Sequence, residues 1–290
     1  MGFIVAVIGS VLNDRIFVNR ERMEPMIKVL VNGALGKMGS TVVRTVLQQE
    51  DMELISAVDV HGAGKTVEGV PVDASLEEAL IRSKPDVVVD FTRPDVVMDS
   101  LRIITSHGVN AVVGTTGFSP EDLEEVKGLA EKNGVGVLIC PNFAIGAVLM
   151  MKAAEEIAKY LPQVEIIELH HDQKLDAPSG TAMLTAQKLA KARGGYVAQG
   201  REDETEKLAH VRGGNYEGMH IHSVRLPGFV ASQEIIFGSM GERLVIRNDS
   251  INRDCYMPGV MLACRTMVKR RGLVYGPVSY THLRAHETDS

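Results

Sequence analysis

Between Ile27 and Asp59 the chain passes through strand, glycine turn, helix and strand, and that order constrains the fold more than any other feature. IKVLVNG (Ile27 to Gly33) is a short apolar run ended by a glycine. KMGSTVVRTVLQQ follows, with Met38, Val42, Val43 and Val46 at helical spacing, and ELISAVD forms a second apolar run. Two strands joined through a helix pair in parallel, and parallel sheets bury both faces, so their strands read as continuous apolar runs. The runs DVVVDF (Asp86 to Phe91), NAVVGTT (Asn110 to Thr116) and GVLICPN (Gly136 to Asn142) fit that description. Helical stretches Pro94 to Ser106 and Pro120 to Lys132 separate them. The expected class is α/β, a Rossmann-like doubly wound parallel sheet.

The same unit carries a binding signal. Gly33, Gly36 and Gly39 fall at the strand-to-helix turn, where a pyrophosphate can meet bare backbone and a helix N-terminus. Asp59 ends the second strand 20 residues after Gly39, where an acid can bond the ribose hydroxyls. Leu35 stands where the common fingerprint has its second glycine, and such glycines on their own often serve only helix–strand packing. Strand, helix and acid in register add weight to the dinucleotide reading. Ligands of such sheets bind beyond the carboxyl ends of the strands, where Thr92, Gly114, Thr115, Thr116 and Asn142 lie. Val60 and His61 follow Asp59 with no arginine for a 2′-phosphate, which favours NADH or dual use, with Lys37 a partial offset.

After Phe143 the pattern changes. A helix, Ala144 to Tyr160, leads into alternating segments QVEIIELHH, GMHIHSVR, SQEIIFG and ERLVIRND. Period-two alternation predicts a mixed or antiparallel sheet with one covered face, hence a second α+β domain. Arg193 to Arg212 is polar and glycine-bearing, a loop excursion. His220 and His222 share a strand face, and a packed or solvated pair is a better reading than a metal site, with no third ligand in sight.

EIIELHHDQKLDAPSGT (Glu165 to Thr181) concentrates chemistry. His170 and His171 end a strand, Lys174 follows, and a Pro-Ser-Gly-Thr turn opens a helix. Each has an ordinary reading: a surface imidazole, a solvated lysine, an N-cap at Ser179, a turn at Asp176. Together, a titratable base, a cation and orphan helix N–H groups can hold an anion and protonate it.

Composition sets the outer limits. A chain of 290 residues has room for two domains. Net charge −6 argues against nucleic acid, and Cys140, Cys255 and Cys264 form no CxxC or paired framework, which fits a reducing cytoplasm. MGFIVAVIGSVL is apolar but lacks a basic leader and is too short to span a bilayer.

HHDQKLDAPSGTA resembles the active-site signature of the dihydrodipicolinate reductase (4-hydroxy-tetrahydrodipicolinate reductase) family of bacterial lysine biosynthesis. The resemblance runs from about Met26 to Tyr275. It includes GALGKMG (Gly33 to Gly39), GTTGF (Gly114 to Phe118), PNFAIG (Pro141 to Gly146) and IHSVRLPG (Ile221 to Gly228). It implies that NADH or NADPH reduces the cyclic dicarboxylate formed from aspartate semialdehyde and pyruvate, in a cytoplasmic homotetramer. His170 is implied as proton donor and acceptor and Lys174 as cationic proton donor, with His171, Gly180 and Thr181 as substrate ligands. The implied cofactor residues are Gly33, Ala34, Leu35, Gly36, Lys37, Met38, Asp59, Gly114, Thr115, Thr116, Pro141, Asn142 and Phe143, the last six on the nicotinamide side.

The expected organisation is an N-terminal extension over 1–25, a dinucleotide-binding domain over 26–143 and a substrate-binding and oligomerisation domain over 144–253. A helix then returns to the first domain over 254–276, and 277–290 is a non-native or disordered tail. Two other readings stay open on the sequence: another small-molecule dehydrogenase of the same build, and a catalytically silent nucleotide-binding protein.

Overall fold

The computed structural model describes residues 25–201 and 203–276, so the extension and tail expected at the two ends lie outside it, Pro25 apart. The first half is a sheet of eight strands: β1 (Ile27–Asn32), β2 (Met52–Val58), β3 (Thr66–Val67), β4 (Val70–Asp73), β5 (Val87–Asp90), β6 (Asn110–Val113), β7 (Gly136–Ile139) and β13 (Gly272–Tyr275). Their order is β13-β7-β6-β5-β1-β2-β4-β3, parallel throughout except for the β3–β4 hairpin. From β1 the chain winds outward first to β2 and then, on the other side, to β5, so the order reverses between β1 and β5.

Alternate residues of each strand feed opposite faces. Val29 and Val31 of β1 pack with Val42, Val43 and Val46 of α1 (Lys37–Val46) and with Val260 and Cys264 of α7 (Met257–Met267). Leu30 faces the other way. It joins Leu80 of α2 (Leu76–Ser83), Leu101 and Ile104 of α3 (Val97–Ser106), and Val126 of α4 (Pro120–Asn133). The valine-rich runs form strands because β-branched side chains fit a pleated surface covered on both sides.

The second half is a mixed five-stranded sheet, β12-β11-β8-β10-β9, from β8 (Gln163–His170), β9 (Gly214–Tyr216), β10 (Met219–Arg225), β11 (Ala231–Ser239) and β12 (Glu242–Ser250). Only β8 and β10 pair in parallel. Val164, Ile166, Ile221, Ile235 and Phe237 pack beneath α5 (Ile145–Ile157) and α6 (Gly180–Ala192). On the opposite face Ile167, Leu169, Val224 and Ile236 stay half-buried.

Besides the short strand β9, three features go beyond the sequence reading. The β3–β4 hairpin turns at Glu68 and Gly69, both at positive φ, the conformation of the tight two-residue hairpin turn. Helix α2 is capped by Ser75, whose hydroxyl accepts from the Glu78 N–H, an S-x-x-E signal that was available to be read. The closing segment differs from the single helix expected over 254–276. A 3-10 turn (Arg253–Tyr256) precedes α7, and the chain then adds β13 beside β7. Leu273 and Val274 thereby join apolar clusters of the sheet instead of continuing a helix.

Candidate active site between the two sheets

The reversal between β1 and β5 opens a trough of about 860 Å³ at the carboxyl ends of the strands. Gly33, Gly36, Lys37, Met38, Asp59, His61, Thr92, Arg93 and Gly114 to Thr116 line it. Gly33 has φ +80, and a Cβ there would meet the Phe91 carbonyl oxygen at 2.5 Å, so glycine is required. Helix α1 follows Gly36, its N-cap, which offers no side-chain cap, and the first turn carries no acid. Its N-terminal N–H groups are thus left for an anion, and an uncapped helix end at the floor of such a trough fits the pyrophosphate of a dinucleotide. Asp59 faces the trough, its two oxygens accepting the Leu35 N–H at 3.2 Å and the His61 N–H at 3.0 Å.

Behind the trough Asp90 is fully buried. It accepts hydrogen bonds from Asn32 (2.7 Å), the Thr92 N–H (3.0 Å) and hydroxyl (2.7 Å), and the Thr115 hydroxyl (3.3 Å), tying β1, β5 and β6 together where the loops leave them. Burial pushes its carboxyl up, against the pull of those donors.

A second cavity, about 270 Å³, lies beside the trough and shares Met38, Phe91 and Gly114 with it. One wall comes from the first sheet: Cys140, Pro141, Asn142 and Phe143, with the Phe91 and Phe143 rings 5.8 Å apart. The other comes from the second half: His170, Ser232, Gln233 and Asn248 of the sheet, with Ser179 and Thr181 at the start of α6. The Ser179 hydroxyl takes up the Ala182 N–H at 3.2 Å, so Ser179 is the N-cap of α6. The N–H groups of Gly180 and Thr181 remain as first-turn donors without intrahelical partners. Gln233, 5% exposed, donates its amide to the Thr185 hydroxyl (2.9 Å), while its carbonyl oxygen has no partner among the described residues.

Polar contacts run behind His170. Its Nδ1 is hydrogen-bonded to Glu168 Oε2, and Glu168 is wholly buried. Arg225 of β10 meets Glu168 with both terminal nitrogens, at 3.0 and 2.6 Å, and also donates to the Asp176 carbonyl at 2.8 Å. The Asp176 carboxylate accepts from Lys174 Nζ at 2.7 Å. Burial works against ionising Glu168, but hydrogen bonds from His170, Arg225 and Ser223 prevail and hold its carboxyl down at about 2.

Of the thirteen implied cofactor residues, eleven line the two cavities: Gly33, Gly36, Lys37, Met38, Asp59, Gly114 to Thr116 and Pro141 to Phe143. Ala34 and Leu35 instead support the turn through backbone bonds to Val58 and Asp59. His170 and Thr181 reach the smaller cavity; His171, Lys174 and Gly180 stand outside its lining. His222 Nε2 lies 2.9 Å from Glu165, and the buried His220 Nδ1 has no partner among the described residues. Glu168, Arg225 and Gln233 were missed. An acid at Glu168, in register with the core residues Val164 and Ile166, was the readable signal for the first.

A dinucleotide trough opening onto a cavity lined by a histidine and a helix N-terminus defines a nicotinamide-dependent oxidoreductase. Family models for dihydrodipicolinate reductase match residues 27–143 (N-terminus) and 146–278 (C-terminus). The chain is 52% identical over 257 residues to a 4-hydroxy-tetrahydrodipicolinate reductase of Listeria welshimeri, covering 86% of this chain and 97% of the relative. It is 49% identical over 259 residues to one from Desulfitobacterium hafniense, covering 86% and 97%. A dipicolinate-bound dihydrodipicolinate reductase from Paenisporosarcina sp. TG-14 superposes with TM-score 0.79 at 45% identity, covering 87% of this chain and 98% of that one. The chain belongs to the dihydrodipicolinate reductase family.

Proposed function

We propose that the chain reduces 4-hydroxy-tetrahydrodipicolinate to tetrahydrodipicolinate, in the diaminopimelate route of lysine biosynthesis. The observation that carries the reading is that His170 and Thr181 line one cavity with the Pro141-to-Phe143 loop, directly beside the dinucleotide trough. Replacing a ring hydroxyl by hydrogen takes up one hydride and one proton and releases water. A bound nicotinamide supplies the hydride. The chain supplies the proton: His170 is the donor and acceptor at the ring, and Lys174 is the cationic donor that offsets developing negative charge. One substrate carboxylate is held by the Gly180 and Thr181 N–H groups, with His171 as a further ligand. The Paenisporosarcina relative, which binds the ring dicarboxylate dipicolinate, supports this substrate class. Lys174 reaches the ring by exchanging Asp176, its present partner, for the substrate.

The reading takes 26–143 as the cofactor domain and 144–253 as the substrate and assembly domain, with 254–276 packed back on the first. Assembly is as a homotetramer through the face bearing Ile167, Leu169, Val224 and Ile236, and the compartment is the cytoplasm. No helix among the described residues is long and apolar enough to cross a membrane. NADH serves at least as well as NADPH, because Asp59 meets the ribose diol and repels a 2′-phosphate. The test is a coupled assay in which substrate is generated in place and the loss of NADH is followed. Cofactor binding without turnover would support the silent-protein reading, and turnover of other amino acids or dicarboxylates but not of this ring would support a different dehydrogenase.

A further inference from the structure

We propose that Glu168 is a positioning residue for proton transfer at His170, and that Arg225 locks Glu168 in place while tying the loop that carries Lys174 to the same strand. The inference rests on the reading of His170 and Lys174 as the proton donors.

Glu168 is an unusual residue for its place in the fold. Its side chain is fully buried at the end of a row of core residues, Val164 and Ile166, where an unpaired carboxylate would be driven to the neutral form. Arg225 holds it ionised with a two-point contact from the neighbouring strand β10. An ionised carboxylate can only accept hydrogen bonds. The proton between Glu168 and His170 therefore sits on Nδ1, and Nε2 is left to face the cavity that His170 lines. This removes two freedoms of an imidazole, its tautomer and its ring rotation, and sets a negative charge beside the ring when Nε2 is protonated.

Arg225 extends the order to the second acid. The guanidinium that grips Glu168 also donates to the Asp176 carbonyl, and the Asp176 side chain holds Lys174. Lys174, Asp176, Arg225, Glu168 and His170 form one run of polar contacts, in which Arg225 joins the loop through the Asp176 backbone carbonyl and Glu168 through its carboxylate. The plainer alternative is an ion pair that merely staples β10 to β8. That role would act on folding and would be indifferent to whether residue 170 is a histidine.

A double-mutant cycle separates the two. Glu168→Gln keeps an acceptor for Nδ1 but removes the charge; kcat is expected to fall about 10- to 100-fold, with substrate KM and NADH affinity within about twofold of the parent. In a His170→Ala background the same change should alter kcat by less than about twofold, since there is no ring left to orient. Glu168→Gln leaves Arg225 buried beside a neutral partner and endangers folding. The paired variant Glu168→Gln/Arg225→Gln leaves no unmatched charge, and it should fold and show at least the same loss of kcat, since it also frees the Lys174 loop. Unchanged kcat in the folded variants, or an equal loss in both backgrounds, overturns the proposal. Full activity in His170→Ala alone would instead bring down the assignment of His170, and this proposal with it.

Discussion

Alanine placed separately at Gly39 and at Gly36 tests whether the glycine turn does two different jobs. A Cβ on Gly39 would lie 2.0 Å from the Gly33 carbonyl oxygen and 2.9 Å from the Ala34 Cα, against the 3.4 Å at which ordinary contact begins. Both neighbours are backbone, so relief requires the first turn of α1 to draw away from β1. Overpacking of a closed site costs about 1–3 kcal/mol, and a clash with fixed backbone belongs at the upper end. At roughly 2–4 °C per kcal/mol for a domain of this size, Gly39→Ala should lower Tm by about 6–12 °C. A Cβ on Gly36 meets only the Gly33 oxygen, at 3.2 Å, which a shift of a few tenths of an ångström relieves. Gly36 lines the trough, however, so under the proposed function its methyl would stand where the pyrophosphate approaches the backbone. Gly36→Ala should keep Tm within about a degree and raise the NADH Kd about tenfold, equivalent to ~1.4 kcal/mol. Calorimetry and a fluorescence titration with NADH read the two effects. Equal loss of Tm in both variants, or a wild-type Tm for Gly39→Ala, would refute the division.

Lys174→Ala and His170→Ala should each lower kcat by about two to four orders of magnitude while NADH still binds, and the double variant should lose less than their product; near-parental turnover in either single variant removes that residue from the chemistry. Catalytic efficiency with NADH should equal or exceed that with NADPH, and a strong NADPH preference would show that Lys37, His61 or the trough's Arg93 outweighs Asp59. Glu168, with its folded-state carboxyl near 2, contributes stability that is present above the unfolded-state value and lost as pH falls from about 5 toward 2. Urea denaturation across that range should show the loss in the parent and a flatter profile in Glu168→Gln/Arg225→Gln; parallel profiles would place the acid sensitivity elsewhere.

Much of this molecule was legible because its signals are local. Val29 to Val31 read as a buried strand, Val42, Val43 and Val46 as one helix face, and Gly33 to Gly39 as a turn, since each depends on neighbours within a few residues. The Ser179 cap and the strand-to-helix turn beside His170 were readable for the same reason. What escaped were weak or distant partners: a two-residue strand at Thr66, a short helix at Leu76, and β13, whose four residues make a strand only because β7 offers an edge far away in sequence.

The site divides along the same line. Local chemistry alone determined that a histidine, a lysine and a helix N-terminus would follow one another from the end of β8, and that glycines would form the strand-to-helix turn after β1. The tertiary structure decided which of these groups share a cavity: His170 with Pro141 to Phe143, and Met38, Phe91 and Gly114 as the join between the two hollows. It also decided that Glu168, one acid among several in a polar-looking strand, is the buried partner of His170. That role requires Arg225, 57 residues on, to arrive on the adjacent parallel strand. Strand pairing across such a span is set by the packing of whole sheets, which no local pattern of residues encodes.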